Sequence, residues 1–172
     1  MDRMSTLRLL YWLGPWVNQK RAPKGPSRTE VVHGREKLWI YRPKQKPIGA
    51  IFVLPGIHYE GPADSRLDRF CRVLADAGFV VGAPFLTAMI RLQLCPEMFP
   101  ESKRLLQLFN EQHPFERTGV FSISAASIVG LSLAADQESA DTISGLHCFG
   151  GYSDWISAPV SYTHLTLPTS PK

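Results

Sequence analysis

Cysteine is scarce: the 172 residues hold three, Cys71, Cys95 and Cys148, an odd number without C-x-x-C spacing. A disulfide framework or a thiolate metal site is therefore not expected, and reduced thiols fit a cytoplasmic setting. Cys71 and Cys148 fall in apolar segments, where core positions are expected. Phosphate-cradling loops are missing too. Neither G-x-G-x-x-G nor G-x-x-x-x-G-K-[ST] follows any strand-like run, which leaves a nucleotide-binding doubly wound domain without support. Long apolar runs are absent. Leu7–Val17 is apolar after Arg3 but is interrupted at Gly14-Pro15, too short to span a bilayer and a poor signal peptide. A short surface helix is expected there, and membrane anchoring is not. No cofactor and no metal are expected.

What remains is an ordinary globular composition, 44% hydrophobic, with room for one domain and a proper core. The net charge of +4 comes from a basic excess between Lys20 and Lys46. Such a patch can serve nucleic acid or an anionic surface. No aromatic interleaving or nucleic-acid module accompanies it, so a solvated face of linkers and edge strands is preferred, and no nucleic-acid partner is expected.

Hydrophobic periodicity orders the chain. After the Pro/Lys-rich link at Arg21–Pro26, Arg28–His33 and Lys37–Arg42 read as a hairpin turning at His33-Gly34-Arg35-Glu36. Ala50–Leu54 is an unbroken apolar run, as in a strand buried on both faces. A loop from Pro55 to Pro62 leads to a helix capped by Asp64 or Ser65, with Leu67, Phe70, Cys71, Leu74 and Ala75 on its apolar face and Gly78 ending it. Phe79–Ala83 is the next strand. Leu86–Pro100 reads as irregular, broken at Pro96 and Pro100, and a helix follows from Glu101 to Gln112. Another strand ends at Ser124, a helix runs to Ala135, and Ile143–Phe149 is a final strand. Alternating strands and helices predict an α/β three-layer sandwich, a mostly parallel sheet with an N-terminal antiparallel hairpin. Ligands in such sheets bind at the carboxyl ends of the strands, which puts the Pro55–Pro62 loop, the Leu86 region, Ser124 and the Gly150–Asp154 loop on one rim.

Thr118–Ser127 carries the chemistry. A serine at a sharp strand-to-helix turn is the nucleophile elbow, G-x-S-x-G, whose flanking positions must be small because strand and helix backbones approach closely. Around Ser124 these positions are Ser122 and Ala126. Were Ser122 or Ser127 the nucleophile, Val120 or Val129 would occupy a tight flank, where a β-branched side chain fits poorly. The competing reading makes Ser124 a helix N-cap.

Phe52-Val53-Leu54-Pro55-Gly56-Ile57-His58-Tyr59-Glu60-Gly61, Leu74-Ala75-Asp76-Ala77-Gly78-Phe79-Val80-Val81 and Gly150-Gly151-Tyr152-Ser153-Asp154 together resemble the α/β-hydrolases, bacterial serine hydrolases with an H-G-x-x-x-E-G loop in particular. The resemblance covers residues 28 to 157. It implies that Ser124 is the nucleophile, that the backbone N–H groups of Ile57 and Ala125 form the oxyanion hole, and that Gly56, His58 and Tyr59 contact a small-molecule acyl or ester substrate. The family's histidine-glycine is Pro55-Gly56 here. In that family the base comes late in the chain, so His58 is expected to line the pocket or face solvent, and Asp154 is expected in a turn or pocket role.

Val160–Thr169 resembles an in-frame translation of a sequencing-transposon adaptor, which implies native sequence ending near Pro159 and a foreign His164. The expected organisation is a helix and linker at 1–27, a partial α/β-hydrolase domain at 28–159 and a non-native tail at 160–172. The triad acid and histidine would then lie beyond residue 159, and the chain as written would be inactive and poorly soluble. A non-catalytic ligand- or partner-binding domain of the same fold is the alternative, favoured by the replaced elbow glycines and by Pro55.

Overall fold

The computed structural model describes residues 3–15 and 17–151. The elements run α1 (Arg3–Leu13), β1 (Ser27–His33), β2 (Glu36–Arg42), β3 (Gly49–Leu54), a 3₁₀ turn at Gly61–Ala63, α2 (Ser65–Asp76), β4 (Phe79–Pro84), α3 (Thr87–Ile90), α4 (Met98–Asn110), β5 (Thr118–Ile123), a 3₁₀ turn at Ser124–Ala126, α5 (Ser127–Ala135), α6 (Gln137–Ala140) and β6 (Ile143–Phe149). The six strands form one sheet in the order β1-β2-β4-β3-β5-β6. β1 pairs antiparallel with β2 and β2 antiparallel with β4, whereas β4, β3, β5 and β6 are mutually parallel.

The period of two along a strand divides the core into two layers. Ala50, Phe52 and Leu54 of β3 join Val80, Val120, and Leu105, Leu106 and Phe109 of α4 on one face of the sheet. Val53, Val81 and Ala83 meet Leu67, Cys71, Leu74 and Ala75 of α2 on the other. Helices on both faces make the three-layer sandwich, and β3, at its centre, is hydrophobic on both sides for that reason. A polar knot ties the hairpin to α2. Asp68 accepts from Arg28 at 2.7 Å, Tyr41 at 3.0 Å and Arg72 at 2.7 Å. Burial alone would raise the Asp68 carboxyl, but these hydrogen bonds outweigh it and hold it below the ordinary carboxylate range.

Three details depart from the sequence expectation. α4 begins at Met98, ahead of Pro100, because proline within a first helical turn removes an N–H that has no intrahelical partner anyway. The stretch read as irregular contains α3. Cys148 is exposed rather than in the core: β6 is an edge strand among the described residues, and its last three residues, His147, Cys148 and Phe149, are all exposed. Cys71 is fully buried, and burial pushes its thiol up, out of the reactive range. Asp154, His164 and the expected tail at 160–172 lie outside the described residues.

Candidate active site

β5 delivers Ile123 in extended conformation (φ −115°, ψ 127°), and the chain then bends at Ser124, whose φ is +52°. A side-chain-bearing residue in the left-handed region costs about 1–2 kcal/mol, so surrounding packing must hold it there. Among the described residues Leu92 is the other non-glycine with positive φ. The hydroxyl does not relieve the strain by capping. Neither the 3₁₀ turn nor α5 has a side-chain cap, and Ser124 Oγ makes no hydrogen bond among the described residues. The N-cap reading of Ser124 therefore fails.

Two close contacts define the bend. A Cβ at Gly56 would lie 3.1 Å from the Ile123 carbonyl oxygen and 3.4 Å from Ser124 Cβ, so the loop after β3 rests directly on the elbow. Ser122, where the motif has glycine, is fully buried, its Oγ 3.3 Å from the His147 carbonyl oxygen and 3.4 Å from Cys148 Sγ. The room that a glycine at this position would leave is made across the strand–helix interface instead. A Cβ at Gly130 of α5 would lie 3.1 Å from Ser122 Oγ and 2.9 Å from Leu146 Cδ1. The close approach that the motif assigns to a strand glycine is provided here by a helix glycine.

Ser124 opens on a cleft of about 330 Å³, lined by the loop residues Pro55, Gly56, Ile57 and His58, by the apolar Leu67, Phe70 and Ile123, and by Asp64 and Arg66. Ala125 is buried behind the serine and leads into α5, so its amide lies at a helix N-terminus. Outside the regular elements, and among the described residues, neither the Ile57 nor the Ala125 amide donates to a backbone carbonyl.

His58 is committed to its own loop. Its Nδ1 accepts from the Glu60 amide at 3.3 Å, its Nε2 is 3.5 Å from Asp64 Oδ2, and its ring stacks on Tyr59 at 4.7 Å. Tyr59 is 66% exposed and does not line the cleft. His58, Glu60 and Asp64 bring one ligand atom each within 4.8 Å of one another. Asp64, however, caps α2 by accepting from the Arg66 and Leu67 amides and takes two further bonds from the Arg66 guanidinium at 2.9 and 3.0 Å. The guanidinium first, then these amides, hold its carboxyl down at about 2, and little of it is left for a cation.

Gly56, Ile57, His58 and Ser124 are thus together, with Ala125 behind them. Leu67, Phe70, Ile123 and Arg66 were missed as cleft residues. The signal was available: the first turn of a helix following a parallel strand returns over the strand's carboxyl end. Larger clefts of about 700 Å³ lie elsewhere, one of them lined by Arg35, Glu36, Arg91, Glu97, Glu101 and Arg104, and no strained nucleophile borders either.

The fold is that of the α/β-hydrolases. A carboxyl esterase from Bacillus coagulans is 21% identical, with the match covering 83% of this chain and 50% of the esterase at a TM-score of 0.59. The Francisella virulence factor BioJ is 15% identical over 88% of this chain and 50% of its own, with a TM-score of 0.62. A dienelactone hydrolase from Anabaena variabilis is 19% identical over 74% and 64%, with a TM-score of 0.52. The chain spans 50 to 64% of the length of these three structures, and the likeness is one of fold. No protein-family model matches the chain, nor does any curated protein.

Proposed function

We propose that this chain carries the nucleophile half of a serine hydrolase acting on carboxylic esters or related acyl compounds, with residues 28–159 as the partial catalytic domain. Ser124 Oγ attacks the acyl carbon, and the carbonyl π electrons move onto oxygen. The Ile57 and Ala125 amides take up that charge. The hydroxyl proton passes to the histidine this reading requires, which returns it to the departing alkoxide as the tetrahedral species collapses; an alcohol leaves, and water hydrolyses the acyl-serine that remains. The apolar wall of Leu67, Phe70 and Ile123 suits an uncharged acyl or alkyl group. Both nitrogens of His58 are engaged, so this reading requires a histidine and an acid from outside the described residues.

The observation that supports the reading is the left-handed, uncapped Ser124 facing the Gly56–Ile57 loop. The test is covalent labelling by a fluorophosphonate, with hydrolysis of p-nitrophenyl acetate alongside, on the chain joined to its native downstream sequence. Label in the wild type that vanishes in Ser124→Ala supports it. No label in the wild type, or label that persists in the variant, overturns it. A non-catalytic binding domain is the second reading, favoured by Pro55 in place of the family's histidine and by Ser122 and Ala126 in place of the elbow glycines.

A further inference from the structure

α1 is built inside out. Ser5, Arg8, Leu9 and Trp12 share the face turned toward the domain, and three of these four carry polar groups. Arg8 donates to the Asp76 carbonyl at 2.7 Å and Trp12 Nε1 to the Asp76 carboxylate at 3.2 Å, while Arg69 donates to the Trp12 carbonyl at 2.7 Å. The opposite face presents Met4, Leu7, Leu10, Tyr11 and Leu13, each between 52% and 60% exposed. An ordinary surface helix does the reverse. Five large apolar side chains on one outward face form a contiguous patch rather than scattered exposure, and such patches mark association sites.

The charge around the patch identifies its occupant. Residues 3–29 contain six arginines and lysines and no aspartate or glutamate. Arg8 and Arg28 are bound to Asp76 and Asp68, whereas Arg3, Lys20, Arg21 and Lys24 form no ion pair among the described residues. Beyond Leu13 the cations continue: Lys20 and Arg69 border the cleft that Leu13 and Gly14 enter, with Arg66 beside them already held by Asp64. The carboxylate in that cleft, Asp68, is already held by Arg28 and Arg72. At eleven residues α1 is too short to cross a bilayer, and no described helix is long and apolar enough to do so. An apolar helix face rimmed by unpaired cations has the chemistry of an element that lies in the headgroup layer. We propose that α1 docks the protein on an anionic lipid bilayer surface. This reverses the expectation from Leu7–Val17 that the segment has no membrane role, and it rests on neither Ser124 nor the hydrolase reading.

Flotation of the 172-residue chain with vesicles of phosphatidylcholine and phosphatidylglycerol, against phosphatidylcholine alone, tests this. The wild type should float with the anionic vesicles and lose roughly tenfold or more in partitioning at high salt. Leu7→Glu/Leu10→Glu changes only exposed positions and should keep the circular dichroism and melting profile while abolishing flotation. Lys20→Glu/Arg21→Glu should weaken it by roughly tenfold or more, and Phe149→Glu, on the exposed β6 edge, should leave it intact. Absence of flotation in the wild type overturns the proposal. So does flotation that survives Leu7→Glu/Leu10→Glu or is lost in Phe149→Glu. A dimer dispersed by Leu7→Glu/Leu10→Glu, without flotation, also overturns it and assigns the face to a second copy of the chain.

Discussion

β3 and β5 lie side by side, run parallel, and each passes the chain to a helix at its carboxyl end. β3 takes ten residues, 55–64, to reach α2, turns gradually, and lets Asp64 cap the helix through two backbone amides. β5 takes three, 124–126, to reach α5, with Ser124 forced to φ +52° and no side-chain cap at all. One crossing is relaxed and satisfied. The other is strained, and its hydroxyl is left facing the cleft. A fold that can build the first kind of crossing has no structural need for the second, and this contrast supports the role proposed for Ser124.

The contrast can be attacked at several points. The largest effect belongs to Ser124→Ala, which should remove fluorophosphonate labelling and lower ester hydrolysis by about 10³-fold or more where the downstream acid and histidine are present, with little change in melting temperature. Measurable turnover at wild-type level in that variant would erase the distinction between the crossings.

Next comes Gly130→Ala. Its new methyl meets Leu146 and Ser122, and urea unfolding should show a loss of about 1–3 kcal/mol. Ser122→Gly in the same chain should return part of that loss, because it clears one of the two contacts. Strict additivity would show that Ser122 and Gly130 do not share the close approach.

The relaxed crossing should respond to pH. Asp64→Ala is expected to cost about 1 kcal/mol as a lost N-cap. The folded-state carboxyl, at about 2, lies below its unfolded value of 3.8, so its contribution is complete above that value and fades as pH falls toward 2. Stability curves of wild type and variant should converge across that window, and parallel curves would contradict the assignment.

The smallest effect is Ser124→Gly, which should raise stability by about 1 kcal/mol, since glycine enters the left-handed region freely. A destabilised variant would mean that the bend at 124 holds no strain.

Most of the strands were legible because their residues report two-faced or one-faced burial directly. Ala50–Leu54 is apolar at every position because helices cover both sides of β3, and the predicted and observed strand differ there by one residue. α2 was legible from Leu67, Phe70, Cys71, Leu74 and Ala75 at helical spacing, and these five do face the sheet. α4 was misjudged at its start because Pro100 reads as a stop until its position in the first turn is known. Cys148 was misjudged because an apolar strand looks the same whether it lies inside a sheet or at its uncovered edge, where Phe149 is 63% exposed. In the cleft, Gly56, Ile57 and Ser124 were readable as loop and turn chemistry. Leu67, Phe70 and Ile123 looked like ordinary core positions until the cleft was seen to run along them.

Local pattern was enough to establish an α/β layering, a serine between small neighbours at the end of a strand, and a short apolar segment near the start of the chain. These depend on periodicity and steric size within a few residues, which a linear string preserves. Which way Ser124 bends, that Gly130 supplies the room Ser122 takes, that His58 is occupied by Asp64, and that α1 turns its polar side inward were decided by three-dimensional contacts. The contacts that hold the elbow against Gly56 and α1 against Asp76 and Arg69 join distant parts of the chain. Those of His58 with Asp64 and of Ser122 with Gly130 span only six and eight residues but depend on how a loop folds and a helix settles on the sheet.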